Sequence, residues 1–270
     1  MSDAAVKLQA PGLWRIGRRR VDIEIKALVR DRRSLVFTVL FPLILLVIFG
    51  SVFNQNLPGT DVSFSQYFLA GMIASGIFYT SFQNLAIAIP TEREDGTLKR
   101  LRGTPMPTAS YFIGKAGMVL LSYVLQVVLL LVVGVLFFKL TLPDTGLKWF
   151  TFLWVSILGL VCCTLLGLAF SVVPKNGRGA SAIVSLVVLI LQFTSGVFFQ
   201  FDQLPHWMQQ FASLFPLKWL AQGMRSVFLP DSLSTLEITG SWELGRVAIV
   251  LVLWTILALV LALRFFKWER

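Results

Sequence analysis

The side chains best able to bind a metal or attack a substrate are scarce in this 270-residue chain, and their spacing gives them no such task. His206, the only histidine, stands beside Pro205 with no second imidazole to complete a metal set or a catalytic triad. Cys162 and Cys163, the only cysteines, are adjacent inside an apolar run. They form neither a disulfide framework nor a spaced metal site, and read as small packing residues. GLWRIGRR at positions 12–19 has the glycine spacing of a phosphate-binding loop, but Arg18 and Arg19 stand where Lys and Ser or Thr are required. The chain therefore shows no means of using ATP itself. Its densest chemistry is PTEREDGTLKRLRGTP at positions 90–105, three acids and four bases between long apolar runs.

Within that loop, Thr91, Glu92, Arg93 and Glu94 match the capping box: Thr91 accepts from the Glu94 backbone N–H, and Glu94 reaches back to Thr91. Pro90 ends or kinks the preceding helix. A short helix is expected to follow, with Leu98 and Leu101 on one face and Lys99, Arg100 and Arg102 around it, stopped by Gly103, Pro105 and Pro107. A merely solvated basic loop needs no capped start, apolar stripe and hard stop. Together they suggest a rigid knob that offers a small apolar face and flanking charges to a protein partner.

The elements that must position this loop are greasy. The chain is 56% hydrophobic and only 14% charged, against about a quarter charged in a soluble domain. A bilayer core of about 30 Å takes roughly 20 apolar residues in a helix. Six such spans are read at 35–54, 66–89, 112–138, 149–173, 180–201 and 247–263. The expected class is an all-α polytopic membrane protein, with a cytoplasmic N-terminus over 1–34 and a transmembrane domain over 35–270. That domain includes an inner loop at 90–111 and an outer segment at 202–243. With the N-terminus inside, 19 of the 24 lysines and arginines fall on inner segments. Only Lys139, Lys148, Lys218, Arg225 and Arg246 fall outside, so both termini are expected in the cytoplasm. The net charge of +10 thus reads as topology and not as nucleic-acid binding. No cleavable signal peptide is evident, because the first apolar run starts after more than thirty residues and is long enough to span.

Before the first span, Trp14, Val21, Ile25 and Leu28 share one helical face and Arg15, Arg19, Lys26, Arg30 and Arg33 another. This predicts an amphipathic helix along the inner membrane surface, serving as a topology anchor or as an elbow to a cytoplasmic partner. Between the fifth and sixth spans, one short piece carries Trp207, Phe211 and Leu214, and a second carries Leu217, Leu220, Met224 and Val227. They read as a re-entrant hairpin in the outer leaflet, with Trp207 and Trp219 in the aromatic belt. The spans as drawn hold no Asp, Glu or Arg, and one Lys, Lys115, near a cytoplasmic end. That argues against a proton-driven antiporter or an intramembrane enzyme with paired acids. Neutral polar residues remain: Gln83 and Asn84 in the second span, Gln126 in the third, Gln192 and Thr194 in the fifth. They serve either as hydrogen bonds between helices or as a weakly polar route for an amphiphilic substrate.

EREDGTLKRLRGTPMPTASYFIGK at positions 92–115 resembles the loop between the second and third spans of type-2 ABC exporter permeases, the bacterial drug-resistance branch above all. The basic amphipathic N-terminus and LPHWMQQFASLFPLKWLAQGMRSVFLP before the last span agree in order and spacing. The resemblance implies a non-enzymatic permease in the bacterial cytoplasmic membrane. It would pair with a second copy or a homologous permease, and two ATPase subunits carrying ATP and Mg would dock below. The 92–102 region would be the coupling helix, and the N-terminal helix a second contact. The alternative is a membrane scaffold that binds partners without moving substrate.

Overall fold

The computed structural model describes residues 12–31, 40–53, 55–57, 60–104 and 106–266. Its helices are α1 (Leu13–Arg30), α2 (Phe41–Val52), α3 (Phe64–Glu94), α4 (Thr97–Arg102), α5 (Thr108–Phe138), α6 (Gly146–Phe170), α7 (Gly177–Thr194), α8 (His206–Ser213), α9 (Pro216–Phe228) and α10 (Leu244–Phe265). Five of them, α3, α5, α6, α7 and α10, are long and apolar enough to cross a membrane. The chain is an all-α integral membrane protein. The expected first span, 35–54, lies partly outside the described residues; its described part is the short apolar helix α2.

Side-chain caps set several helix starts. Ser63 Oγ accepts from the Gln66 N–H at 3.3 Å, Thr145 Oγ1 from that of Lys148 at 3.4 Å, and Asn176 Oδ1 from that of Gly179 at 2.7 Å. At the far end of α5, Lys139 takes a left-handed conformation and the Leu140 N–H closes onto the Gly134 carbonyl at 3.2 Å.

Helix α3 is the axis of the bundle. Its first half packs on α2, α5 and α9, and its second half on α6 and α7. Every residue from Ser65 to Ile77 is buried, as small residues Ala70, Gly71, Ala74, Ser75 and Gly76 let the neighbours close in. Midway, Phe78–Gln83 form a π-helical turn. The helix then runs on through Pro90, although proline has no N–H to give the Ala86 carbonyl. Ile89 and Pro90 are both buried, so tertiary packing holds the helix together where local propensity would end it.

This overturns the expected capping box. Thr91 lies inside α3 and its hydroxyl donates to the Ile87 carbonyl at 2.9 Å. The reversal comes later, at Asp95 and at Gly96, whose φ is 72°. The short helix α4 then begins at Thr97.

Helix α1 packs lengthwise on α5 and does not lie free on a surface. Gly114 and Gly117 permit the contact: a Cβ at these positions would sit 2.5 Å from Arg20 Cγ and 2.7 Å from Val21 Cγ2. Of the expected apolar face, Leu28 is buried and Val21 and Ile25 are half-buried, but Trp14 is 81% exposed and falls outside the contact. The pair before the last span also divides differently from expectation. Helix α8 turns Trp207, 66% exposed, away from the protein, while α9 is buried throughout its length between α3, α6 and α10. Trp219 is therefore a core residue and not part of an aromatic belt; it is 7% exposed and its indole N–H donates to the Ser213 carbonyl at 2.8 Å. Cys162 and Cys163 are buried and unbridged.

Replacing both Gly114 and Gly117 by Leu is expected to pry α1 from α5 at a cost of about 1–3 kcal/mol, the usual range for overpacking. Spin labels at the exposed positions Ile23 and Leu121 would report it as a longer distance; an unchanged distance would show that α1 is held by something other than this contact.

Candidate functional site at the basic end of the bundle

The four residues Thr91, Glu92, Arg93 and Glu94 close the last turn of α3, where side chains point in all directions around the axis. Thr91 turns back into its own helix, and each of the other three bonds a different neighbour. Glu92 accepts from the Tyr111 hydroxyl at 2.8 Å and pairs with Lys115, both on α5. Arg93 Nη1 donates to the carbonyl of Ser171, just past the end of α6, at 3.2 Å. Glu94 Oε2 accepts from the Gly177 N–H at 2.8 Å, capping the first turn of α7. Helix α3 is thus tied through one tetrapeptide to the ends of three other spanning helices.

A fourth element joins through Lys115. Its ammonium, 3% exposed, also donates to Glu24 of α1 at 2.9 Å, and Glu24 is held in turn by Arg20 at 2.7 Å. Two cations and two carboxylates make a neutral knot. A buried ammonium without such partners costs several kcal/mol, which is why the group is found only in this company. The sequence reading missed Arg20, Glu24 and Tyr111 as site residues. The signal was present in Lys115, the only charge within the spans as drawn, because a charge at membrane depth implies a partner.

Helix α4 does not present the expected pair of leucines. Leu98 is fully buried in the protein's own core and Leu101 is half-buried against it. Two apolar side chains on a two-turn helix seat it on the bundle, and what remains outward is Lys99, Arg100 and Arg102. Arg100 also donates to the Asp95 carbonyl at 3.3 Å, bracing the reversal. Any partner at this surface meets positive charge and not a greasy face.

Above the knot, a cleft of about 690 Å³ opens between α2, α3 and α7, lined by Tyr79, Gln83, Asn84, Thr91 and Glu92 among others. Gln83 and Asn84, adjacent in sequence, both line it. Gln192 is joined to the same wall because the Tyr79 hydroxyl donates to its Oε1 at 3.0 Å. Gln126 lies elsewhere: it is buried between α5 and α3, close against Gly76, and lines no part of this cleft. Thr194 turns its hydroxyl back to the Ile190 carbonyl at 3.0 Å. A second cleft, also about 690 Å³, lies between α5, α6 and α10, but its walls are apolar apart from Thr108, Lys115 and Thr164. Among the described residues no cluster of His, Cys, Asp or Glu could hold a metal ion.

Spanning helices flank a weakly polar cleft, and the charged end of α3 is tied to α5, to the end of α6 and to the start of α7. The chain belongs to the ABC-2 type transporter family, whose profile it matches over residues 20–229. It is similar to the inner membrane transport permease YadH of Escherichia coli (strain K12), at 24% identity over 239 residues, 86% of this chain and 91% of that protein. It is also similar to ycf38 of Porphyra purpurea, 27% identical over 216 residues covering 76% and 74% of the two chains. YvfS of Bacillus subtilis (strain 168) is 22% identical over 197 residues, 72% and 77% respectively. Both also carry transport-permease names.

Two outcomes test the latches. Glu94→Ala removes the acceptor at the start of α7, worth about 0.5–2 kcal/mol for a helix cap; amide exchange at Gly177 should accelerate, and Glu94→Gln, which keeps an acceptor, should accelerate it less. Lys115→Met leaves the Glu92 carboxylate without a cation and Glu24 with Arg20 alone, and should lower unfolding stability in detergent by about 3–5 kcal/mol. Adding Glu92→Gln to that variant should recover part of the loss, since Glu24 still has Arg20 and no carboxylate is then left without a cation.

Proposed function

We propose that this chain is the permease subunit of an ATP-driven exporter that moves an amphiphilic compound, such as a drug, a lipid-like molecule or a glycolipid, across a bacterial cytoplasmic membrane. The observation that carries the reading is the tetrapeptide at the end of α3: Glu92, Arg93 and Glu94 bond α5, the end of α6 and the start of α7, so a push on this loop is delivered to several spans at once. Rigid-body switching of packed helices needs such a joint.

In this reading α2 belongs to a first span over 35–54, which brings the spans to six and both termini to the cytoplasm. The basic end of the bundle then faces inward, in keeping with the excess of Lys and Arg there. Two ATPase subunits carry the ATP and Mg, dock under α4 and α1, and drive two permease copies, or one copy and a homologous permease. The exposed Lys99, Arg100 and Arg102 make the docking electrostatic, and the exposed bases of α1 adjoin either the ATPase or anionic lipid headgroups. The leucines Leu98 and Leu101 act from beneath, by fixing α4 to the bundle. The cleft lined by Gln83 and Asn84, with Gln192 behind Tyr79, supplies a weakly polar wall for substrate; the α8–α9 pair covers the outer end.

Co-expressed with its cognate ATPase, the chain is expected to co-purify with it and to raise its rate of ATP hydrolysis in liposomes. Lys99→Glu combined with Arg100→Glu should abolish both while leaving membrane insertion intact. Full retention of the complex and of its hydrolysis rate in that double variant would remove α4 as the docking element.

A further inference from the structure

The end of the bundle opposite the charged loop holds a second buried ion pair that the transport reading does not use. Arg225 of α9 and Glu237, which follows the short 3₁₀ turn Asp231–Leu236, have side chains only 1% exposed. Arg225 Nε and Nη2 both lie 2.6 Å from Glu237 Oε1. Its Nη1 donates to the carbonyl of Gly196 at 3.0 Å, and the Tyr67 hydroxyl of α3 donates to the same carbonyl at 3.1 Å. Glu237 Oε2 is buried without a hydrogen-bond partner. A buried pair left partly unsatisfied is a poor choice for stability alone, since apolar side chains would do as well or better.

Both donors converge on the segment 195–200, which leaves the end of α7 and folds back across α3. Gly196 makes the turn possible: its φ is 72°, and a Cβ there would lie 2.9 Å from that of Phe201. The turn presses Val197 against Gly71 and drives Phe198 among Phe49, Phe68 and Phe193, with ring centroids 4.8–6.0 Å away. These rings separate two openings on one face. Phe41, Tyr79 and Ser185 line the 690 Å³ cleft; Phe53, Phe64 and Phe199 line a smaller one of about 260 Å³. On α2 and α3, and along α7 and the segment that follows it, the aromatic block lies between them.

We propose that Arg225, fixed by Glu237, is a positioning residue for transport: through the Gly196 carbonyl it latches the 195–200 strap, and with it Phe198, across the outer end of the route. Release of substrate then requires the strap to leave Gly71, and the Arg225–Gly196 bond must break together with those of the Tyr67 hydroxyl to Gly196 and Phe199. The inference rests on the permease reading above, but its first test needs neither ATPase nor substrate.

Ser195 is fully buried and its hydroxyl has no partner, so Ser195→Cys is a mild reporter at the root of the strap. Ser65→Cys, buried at the same end of α3 but off the strap, is the control. Labelling with a membrane-impermeant maleimide applied from outside should be slow at both in the otherwise unaltered chain. Arg225→Lys, which keeps the charge but loses the fork, and separately Glu237→Gln, should raise the rate at the Ser195→Cys reporter about tenfold, as loss of a charge-assisted hydrogen bond permits, and leave the Ser65→Cys control protected. Protection unchanged at the reporter, or a rise at both positions, would overturn the latch, the latter by marking general loosening. In the complex with ATPase, a non-hydrolysable ATP analogue should open the reporter in the unaltered chain and add nothing in Arg225→Lys. A latch that opens on mutation but never with nucleotide is structural only, and the proposed role in transport falls. Failure of the complex to form at all is a separate result, and tells against the permease reading and not against the strap.

Discussion

An ammonium ion buried among helices has to be surrounded by carboxylates, and Lys115 meets this requirement with Glu24 from one side and Glu92 from another. Much of the arrangement at the basic end follows from that constraint. Glu24 can reach only if α1 lies close along α5, which the two glycines at 114 and 117 allow. Glu92 can reach only if α3 stays helical beyond Pro90, which burial of Ile89 and Pro90 enforces. Tyr111 and Arg20 then occupy the remaining oxygens. None of these groups is stable where it stands without the others, so α1, α3 and α5 behave as one mechanical part.

The two ends of the bundle use the same physics for different purposes. At one end the charges tie spans to one another and to a loop whose outer surface is basic. At the other, Arg225 and Glu237 fasten an irregular turn and a buried short helix. Between them, among the described residues, the polar groups of the interior are neutral, and several have no hydrogen-bond partner: Gln83 Oε1, both amide atoms of Gln126, and Gln192 Nε2. An interior of that kind neither attracts ions strongly nor forms a fully closed polar network.

Span positions were legible in the sequence because twenty apolar residues have few other uses, and five of the expected spans overlap the long helices. The charged loop was legible as a special place but not in its construction. The capping-box pattern at Thr91–Glu94 is a local rule, and it lost to packing: with α6 and α7 against it, α3 gained more by continuing than by stopping. Leu98 and Trp219 were misplaced for a related reason. Periodicity shows that a face is apolar, but not whether protein or something beyond it covers that face, and here the chain covers both residues itself. Gln126 shared a residue type with Gln83 and Gln192 and nothing else, since chemistry without a rotation angle does not say which side of a helix a group faces. The pairs Lys115–Glu24, Lys115–Glu92 and Arg225–Glu237 were out of reach because they join residues 91, 23 and 12 positions apart.

The π-helical turn at Phe78–Gln83 carries a consequence for how this chain is compared with its relatives. A π turn holds roughly one residue more than an α turn, and so advances the phase of everything after it by about 100°. The aim of Glu92 at Lys115 and of Glu94 at Gly177 is therefore counted from the bulge and not from the Ser63 cap. The upper and lower halves of α3 are two reading frames written on one rod. A relative that lacks the extra residue would keep the same letters below the bulge yet point them at different neighbours, so equal spacing, and not equal spelling, is what would mark a shared mechanism.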